Sequence, residues 1–212
     1  MRMEMRNEQA MSIRPAAVED SRMLAAIQVD SYRSSYADLL PSEYLDHFAH
    51  EEQEEDWRIL LASPSEQVLL VAEGVGTGVV GYVLSGPAAD GGSNYDAELL
   101  ALHVRRAHHR RGIGRQLVAA AAMELNVRGG LSLCLWVLEQ TSARLFYDKL
   151  GGQLAGRRAW ENNGYFGTNV VEVQYTWRDI APLCQPGARF TPQSNMVCPS
   201  GLPHVEPNRA TD

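Results

Sequence analysis

The chain has 212 residues, the length of one domain with a short appendage, and enough to bury a core without disulfides or a structural metal. Apolar side chains make up 45% and charged ones 21%, which excludes disordered, collagenous and coiled-coil chains. Acidic residues outnumber basic ones 26 to 19, and the resulting charge of −7 is a poor footprint for a partner of polyanions, so nucleic acid is disfavoured. Cys134, Cys184 and Cys198 are too few and too irregularly spaced for a disulfide framework or a four-ligand zinc site, and they fit a reducing, cytoplasmic setting. The polar start, residues 1–10, lacks the apolar stretch of a signal peptide, and no apolar run approaches the roughly 20 residues of a membrane span. Export and membrane insertion are therefore not expected.

Residues 1–10 read as a flexible segment, 11–180 as the folded domain, and 181–212, which hold six of the ten prolines, as a disordered tail. Within the domain, Ile13-Arg-Pro fits a short edge strand. Val18 to Tyr32 carries a helical face (Val18, Leu24, Ile27, Val29) that Glu19-Asp20-Ser21 starts. A second helix enters at Pro41. Residues 42–56 then hold seven acids and no Lys or Arg, either a solvated helix face or a rim that attracts cations. Val68–Glu73 and Val79–Leu84, joined by Gly74-Val-Gly-Thr-Gly78, read as a hairpin. The apolar run Ala97–Val104 reads as the central strand, covered on both faces. Gly114 to Val127 is an amphipathic helix on Leu117, Ala121 and Leu125. Leu131–Leu138 is a buried strand, and Ala143, Phe146, Tyr147 and Leu150 mark a short helix ended by Gly151. Leu154–Trp160 and Val170–Trp177 close the sheet around a turn-rich loop. The order β-α-α-β-β-β-α-β-α-β-β describes an α/β domain, a mixed sheet flanked by helices.

The most informative stretch joins the central strand to the amphipathic helix. Between Val104 and Arg115 it places five arginines (105, 106, 110, 111 and 115) and no acid. A helix N-terminus there offers unpaired N–H groups and the positive end of a dipole. Gly112 and Gly114 admit an anion close to the backbone. The chemistry indicated is diphosphate binding; the plainer alternative is a strand-to-helix turn bearing surface arginines. Gly114-Arg-Gln does not continue as a Walker loop, and Leu117 stands where a dinucleotide fingerprint places a small residue.

His109-Arg-Arg-Gly-Ile-Gly114 resembles the Gln/Arg-x-x-Gly-x-Gly/Ala motif of the GCN5-related N-acetyltransferases, and the segment from Gln140 through Ala143, Phe146 and Tyr147 to Gly151 resembles that family's Asn-x-x-Ala-x-x-Phe-Tyr segment. His109 replaces Gln or Arg at the first motif position, and Gln140 replaces Asn. The resemblance spans roughly 11–177. It implies the acyl-CoA N-acyltransferase fold and acetyl-CoA as cosubstrate. The diphosphate would lie on His109, Arg110, Arg111, Gly112, Ile113, Gly114 and Arg115, the pantetheine arm along Leu102, His103 and Val104, with Gln140 nearby.

Acetyl transfer to an amine needs a proton acceptor, an oxyanion donor and a proton for the leaving thiolate. Glu98 lies eleven residues before the motif, a separation similar to that of the catalytic glutamate in the histone-acetylating branch; otherwise it is a hydrogen-bonded strand residue. Tyr147 matches the family's tyrosine at the CoA sulfur; otherwise it is a core aromatic. A backbone N–H near His103 or Val104 is the oxyanion donor. The amine, a small molecule or a peptide N-terminus, would meet Tyr32, Tyr36 and Tyr165 and attack directly. A homodimer is left open. The competing reading is a non-catalytic acetyl-CoA-binding or interaction module.

Overall fold

A computed structural model describes residues 11–40, 42–46, 49–88, 94–162 and 165–184, apart from the side chains of 161–169. Strand β1 (Met11–Pro15) leads through a 3-10 turn (Val18–Asp20) into α1 (Ser21–Ser35), α2 (Ser42–Asp46) and α3 (His50–Ala62). The hairpin β2 (Val68–Gly74) and β3 (Gly78–Pro87) and strand β4 (Ala97–Val104) follow. Then come α4 (Ile113–Val127), β5 (Leu133–Leu138), α5 (Arg144–Lys149), β6 (Gln153–Asn162) and β7 (Tyr165–Trp177). The strands form one seven-stranded sheet in the order β1-β2-β3-β4-β5-β7-β6, in which only β4 and β5 pair in parallel.

Each face of the sheet is covered for a reason written in its side chains. The run Ala119–Ala122 and Leu117, Val118 and Leu125 of α4 are buried against the sheet; small side chains let the helix axis approach closely. On the other face, Leu24, Ala25 and Ile27 of α1 and Trp57 of α3 pack on Val71, Val79 and Tyr82. The start of α1 is fixed to the sheet by Arg14, whose guanidinium donates to both oxygens of Asp20, at 2.7 and 2.9 Å, and through Nε to Glu73 at 2.8 Å. A third cluster joins Leu40, Tyr44 and Leu45 around α2 to Leu138, Trp160 and Val170 of the closing strands.

Three features differ from the sequence reading. The acid-rich stretch contains a helix of its own, α3, which buries a single aromatic, Trp57, and leaves its acids at the surface. The central strand is not covered on both faces: Ala97 and Leu99 are buried, Leu100 is 42% exposed, and 101–104 are only half-buried. The ordered chain also continues past Ile180 into a turn, Ala181–Cys184, that seats Leu183, 7% exposed, against the α4 core. No helix among the described residues is long and apolar enough to cross a membrane.

Burying one leucine contributes about 2 kcal/mol. A chain ending at Cys184 is therefore expected to resist urea like the full chain, and one ending at Ile180 to lose about that amount. Equal midpoints for the two truncations would contradict the docking of Leu183.

Candidate active site

Strands β4 and β5 share only the rungs Ala97/Leu133 and Glu98/Cys134. Beyond them β4 stays paired to β3 as far as Val104, and β5 stays paired to β7 as far as Leu138. A bulge in the β3–β4 ladder, where Leu84 faces Ala101 and Ser85 faces Leu99, leaves Leu100 as an extra residue. Such a residue bends its strand and twists it more strongly. The bend falls where β4 leaves β5, so from residue 99 on, one edge of β4 has no neighbouring strand. Backbone N–H and C=O groups on such an edge accept a partner in extended conformation.

At the end of that edge lies the arginine loop. Arg105 N–H still donates to Val80, at 2.8 Å, before Arg106–His108 form a 3-10 turn. The Nε2–H of His109 donates to the Val104 carbonyl at 2.7 Å and clasps the loop. Arg110, at φ 62°, and Gly112, at φ 80°, both take left-handed conformations, which turns successive amides toward one side. Gly112 caps α4 without any side-chain hydrogen bond to the first turn, and a Cβ added there would meet only the Gln116 amide, at 3.9 Å. A Cβ added at Gly114 would lie 3.4 Å from the Phe146 ring, an ordinary contact, so α5 packs directly over this position at the start of α4. Among the described residues, none of Arg105, Arg106, Arg110, Arg111 and Arg115 forms an ion pair. Five uncompensated guanidiniums around an uncapped helix N-terminus make a site for a multiply charged anion.

Tyr147 stands on α5 within the α4-side core, in ring contact with Phe146, Tyr175 and Trp177. Burial, and then the neighbouring Tyr36 phenol, push its hydroxyl well above the ordinary value, so it holds its proton throughout the neutral range. Tyr36 packs with Tyr32 and Leu39 against the cluster around Leu40, Tyr44 and Leu45. Tyr32 and Tyr36 make a T-shaped pair at 5.1 Å, and Tyr32 lies 5.8 Å from the His103 ring. Burial raises the Tyr32 and Tyr36 hydroxyls and lifts Tyr44 to about 12, with Glu172 adding to all three.

The structure thus brings Leu102, His103, Val104, the 109–115 loop and Tyr147 to the opened end of β4, with Tyr32 and Tyr36 across the sheet. Glu98 sits apart, on the last rung where β4 and β5 are still paired. Gln140 is exposed in the turn between β5 and α5. Tyr165 opens β7 opposite Asn162, and its side chain lies outside the described residues. Two residues of this region escaped the sequence reading. Tyr82 on β3 has the pattern of an ordinary buried strand residue, and Glu172 on β7 that of an ordinary surface one; neither carries a local signal.

A family model described as FR47-like protein matches residues 84–161, which run from the end of β3 into β6. The uncharacterized N-acetyltransferase YuaI of Bacillus subtilis (strain 168) is 31% identical over 172 residues, 81% of this chain and 95% of that protein. The PaiA N-acetyltransferase from Thermoplasma acidophilum, solved in complex with coenzyme A, superposes with a TM-score of 0.56 at 19% identity and covers 79% of this chain and 99% of its own. YncA from Salmonella typhimurium, solved with acetyl-CoA, gives 0.58 at 20% identity over 79% and 93%. These superpositions show that the chain shares the fold of those two proteins. The chain belongs to the GCN5-related N-acetyltransferase family, and acetyl transfer is the activity that membership carries.

Burial alone lowers the pKa of His103 from 6.5 to about 4. The unfolded chain therefore takes up a proton first as the pH falls, and the stability contributed by neutral His103 is complete above pH 6.5 and lost on the way down to pH 4. Denaturant melts at pH 7.5 and 4.5 should show a loss on the order of 2 kcal/mol that His103→Gln removes. An unchanged loss in the variant would contradict the burial of a neutral imidazole.

Proposed function

We propose that the chain moves an acetyl group from acetyl-CoA to a primary amine, on a small molecule or a peptide N-terminus, by direct attack without an acyl-enzyme. The observation that supports this reading best is the unpartnered edge of β4 running into an uncapped helix N-terminus among five unpaired arginines. The geometry suits a ligand with an extended amide-bearing arm and a diphosphate at one end. The arm would lie along 99–104 and hydrogen-bond to the edge that β5 leaves. The diphosphate would meet the amides of Ile113, Gly114 and Arg115 and the surrounding guanidiniums. The solved relatives that hold coenzyme A or acetyl-CoA support the same ligand.

Two roles complete the proposal. Tyr147, held protonated by burial, donates to the departing thiolate. Glu98, at the closed end of the opening, offers a carboxylate to the proton released on the amine side, reached through water. The acceptor enters from the face of Tyr32 and Tyr36, away from α4.

A binding and rate comparison tests this. Gly112→Val should abolish acetyl-CoA binding by calorimetry, because a branched residue is strained at positive φ and its side chain would fill the space left for the anion. Tyr147→Phe should lower kcat about 10²-fold with acetyl-CoA affinity within about threefold. With Tyr147 raised, kcat of the unsubstituted chain should show no Tyr147-dependent fall up to pH 10. Unchanged affinity in the first variant would remove the loop from the proposal, and an unchanged rate in the second would return Tyr147 to the core.

A further inference from the structure

His103 stands next to Leu102 on the stretch of β4 that has lost β5. Alternation along the strand after the bulge puts Leu102 and Val104 on the α4 side, in the main core. His103 faces the other side, 5.8 Å from the Tyr32 ring and 5.3 Å from the Tyr82 ring. Among the described residues neither of its ring nitrogens has a hydrogen-bond partner, and part of the residue remains exposed. A neutral imidazole keeps one nitrogen lone pair for a donor.

Tyr82 supplies the second observation. The residue is 0% exposed, and its hydroxyl has no partner among the described residues. Leaving a buried hydroxyl unpaired is unfavourable in a finished structure. The Tyr82 hydroxyl is close enough to Tyr32 and Tyr36 for both to influence it, so it lies on the same side of the sheet as the proposed acceptor.

We propose, on the basis of the acetyl-transfer reading above, that His103 meets the acceptor nitrogen and takes its proton, and that the acceptor is an amine of low basicity such as a peptide α-amino group. The amine nitrogen forms the C–N bond to the thioester carbonyl carbon, and the C–S bond breaks with its electron pair on sulfur. Sulfur takes the Tyr147 hydroxyl proton, which solvent replaces. The N–H proton passes to one imidazole nitrogen as the other ring nitrogen releases its own to water, so no imidazolium builds up in surroundings that disfavour it.

The groups facing His103 explain the choice of amine. They are the rings of Tyr32 from α1 and Tyr82 from β3, with Tyr36 packed on Tyr32. Glu172 on β7, which bears on the Tyr32 and Tyr36 hydroxyls, is tied to Arg158 Nε at 2.8 Å. Burial is the one cause of the loss of basicity at His103, and the same surroundings disfavour an ammonium ion. The acceptor therefore arrives neutral. At pH 7.5 roughly a third of α-amino groups are neutral, against roughly one in a thousand lysine side chains.

The test uses the full chain, acetyl-CoA and thiol release with two pairs of probes. One pair is glycinamide against propylamine. The other is a tetrapeptide with a free α-amine against the same peptide with that amine blocked and a lysine side chain free. The less basic member should give at least about 30-fold higher kcat/KM at pH 7.5, and the ratio should shrink about tenfold or more at pH 9.5. His103→Ala should lose about 10²-fold in kcat, with acetyl-CoA affinity kept and part of the rate restored by added imidazole. His103→Gln, which accepts a hydrogen bond but no proton, should stay slow. Equal use of the more basic member at pH 7.5, or a His103→Gln rate within about threefold of the unsubstituted chain, would overturn the proposal. Acetyl-CoA binding without thiol release for any probe would overturn the acetyl-transfer reading instead, and this proposal with it.

Discussion

Strands β4 and β5 begin side by side and share two rungs before the extra residue at Leu100 turns β4 aside. Each strand keeps its other neighbour, β3 or β7, so the sheet opens without coming apart. This opening sets the rest of the site. It leaves one row of backbone groups without a strand and half-exposes residues 101–104. A fully zipped parallel pair would have buried the edge, as parallel strands usually are.

The charge distribution follows the same geometry. The chain carries −7 overall, yet five arginines without acid partners gather where β4 passes into α4. Left-handed backbone at Arg110 and Gly112 and the uncapped first turn of α4 add amide dipoles to the same spot. The local field is thus opposite to the global one, so an anionic ligand is drawn to a single place on a molecule that otherwise repels it. Across the sheet the surroundings are dominated by the rings of Tyr32, Tyr36 and Tyr82, with Glu172 ion-paired to Arg158. On the proposed reading, the anion and the acceptor approach from opposite faces of the sheet.

The parts of this arrangement legible in the sequence are those encoded locally. Gly112, the arginines on either side of it and the apolar strand before it lie within a dozen residues, and their spacing indicates an anion loop at a helix start. The edge strand, the hairpin and the closing strands follow from alternation and turn residues. A solvated helix face was one reading of the acid-rich stretch, but α3 as a separate element and its bounds were not legible, because it buries one large side chain, Trp57, behind a row of acids, and a helix so polar shows little periodicity. The half-exposure of β4 was hidden because an apolar run reads as buried, and the bulge that uncovers it depends on pairing with β3. The acceptor side draws on α1, β3, β4 and β7, far apart in the chain, so Tyr82 and Glu172 carried no pattern that marked them. Which side of the sheet the His103 ring faces is set by the bulge, which shifts the alternation along β4 and depends on the pairing with β3.

Amide hydrogen exchange with and without acetyl-CoA addresses the opening directly. If the freed edge of β4 and the first turn of α4 hold the cofactor, amides within 99–104 and 113–115 should exchange about tenfold or more slowly in its presence, while those of the β2–β3 hairpin stay unchanged. Cofactor binding that leaves the 99–104 amides exchanging at their original rate would contradict the account.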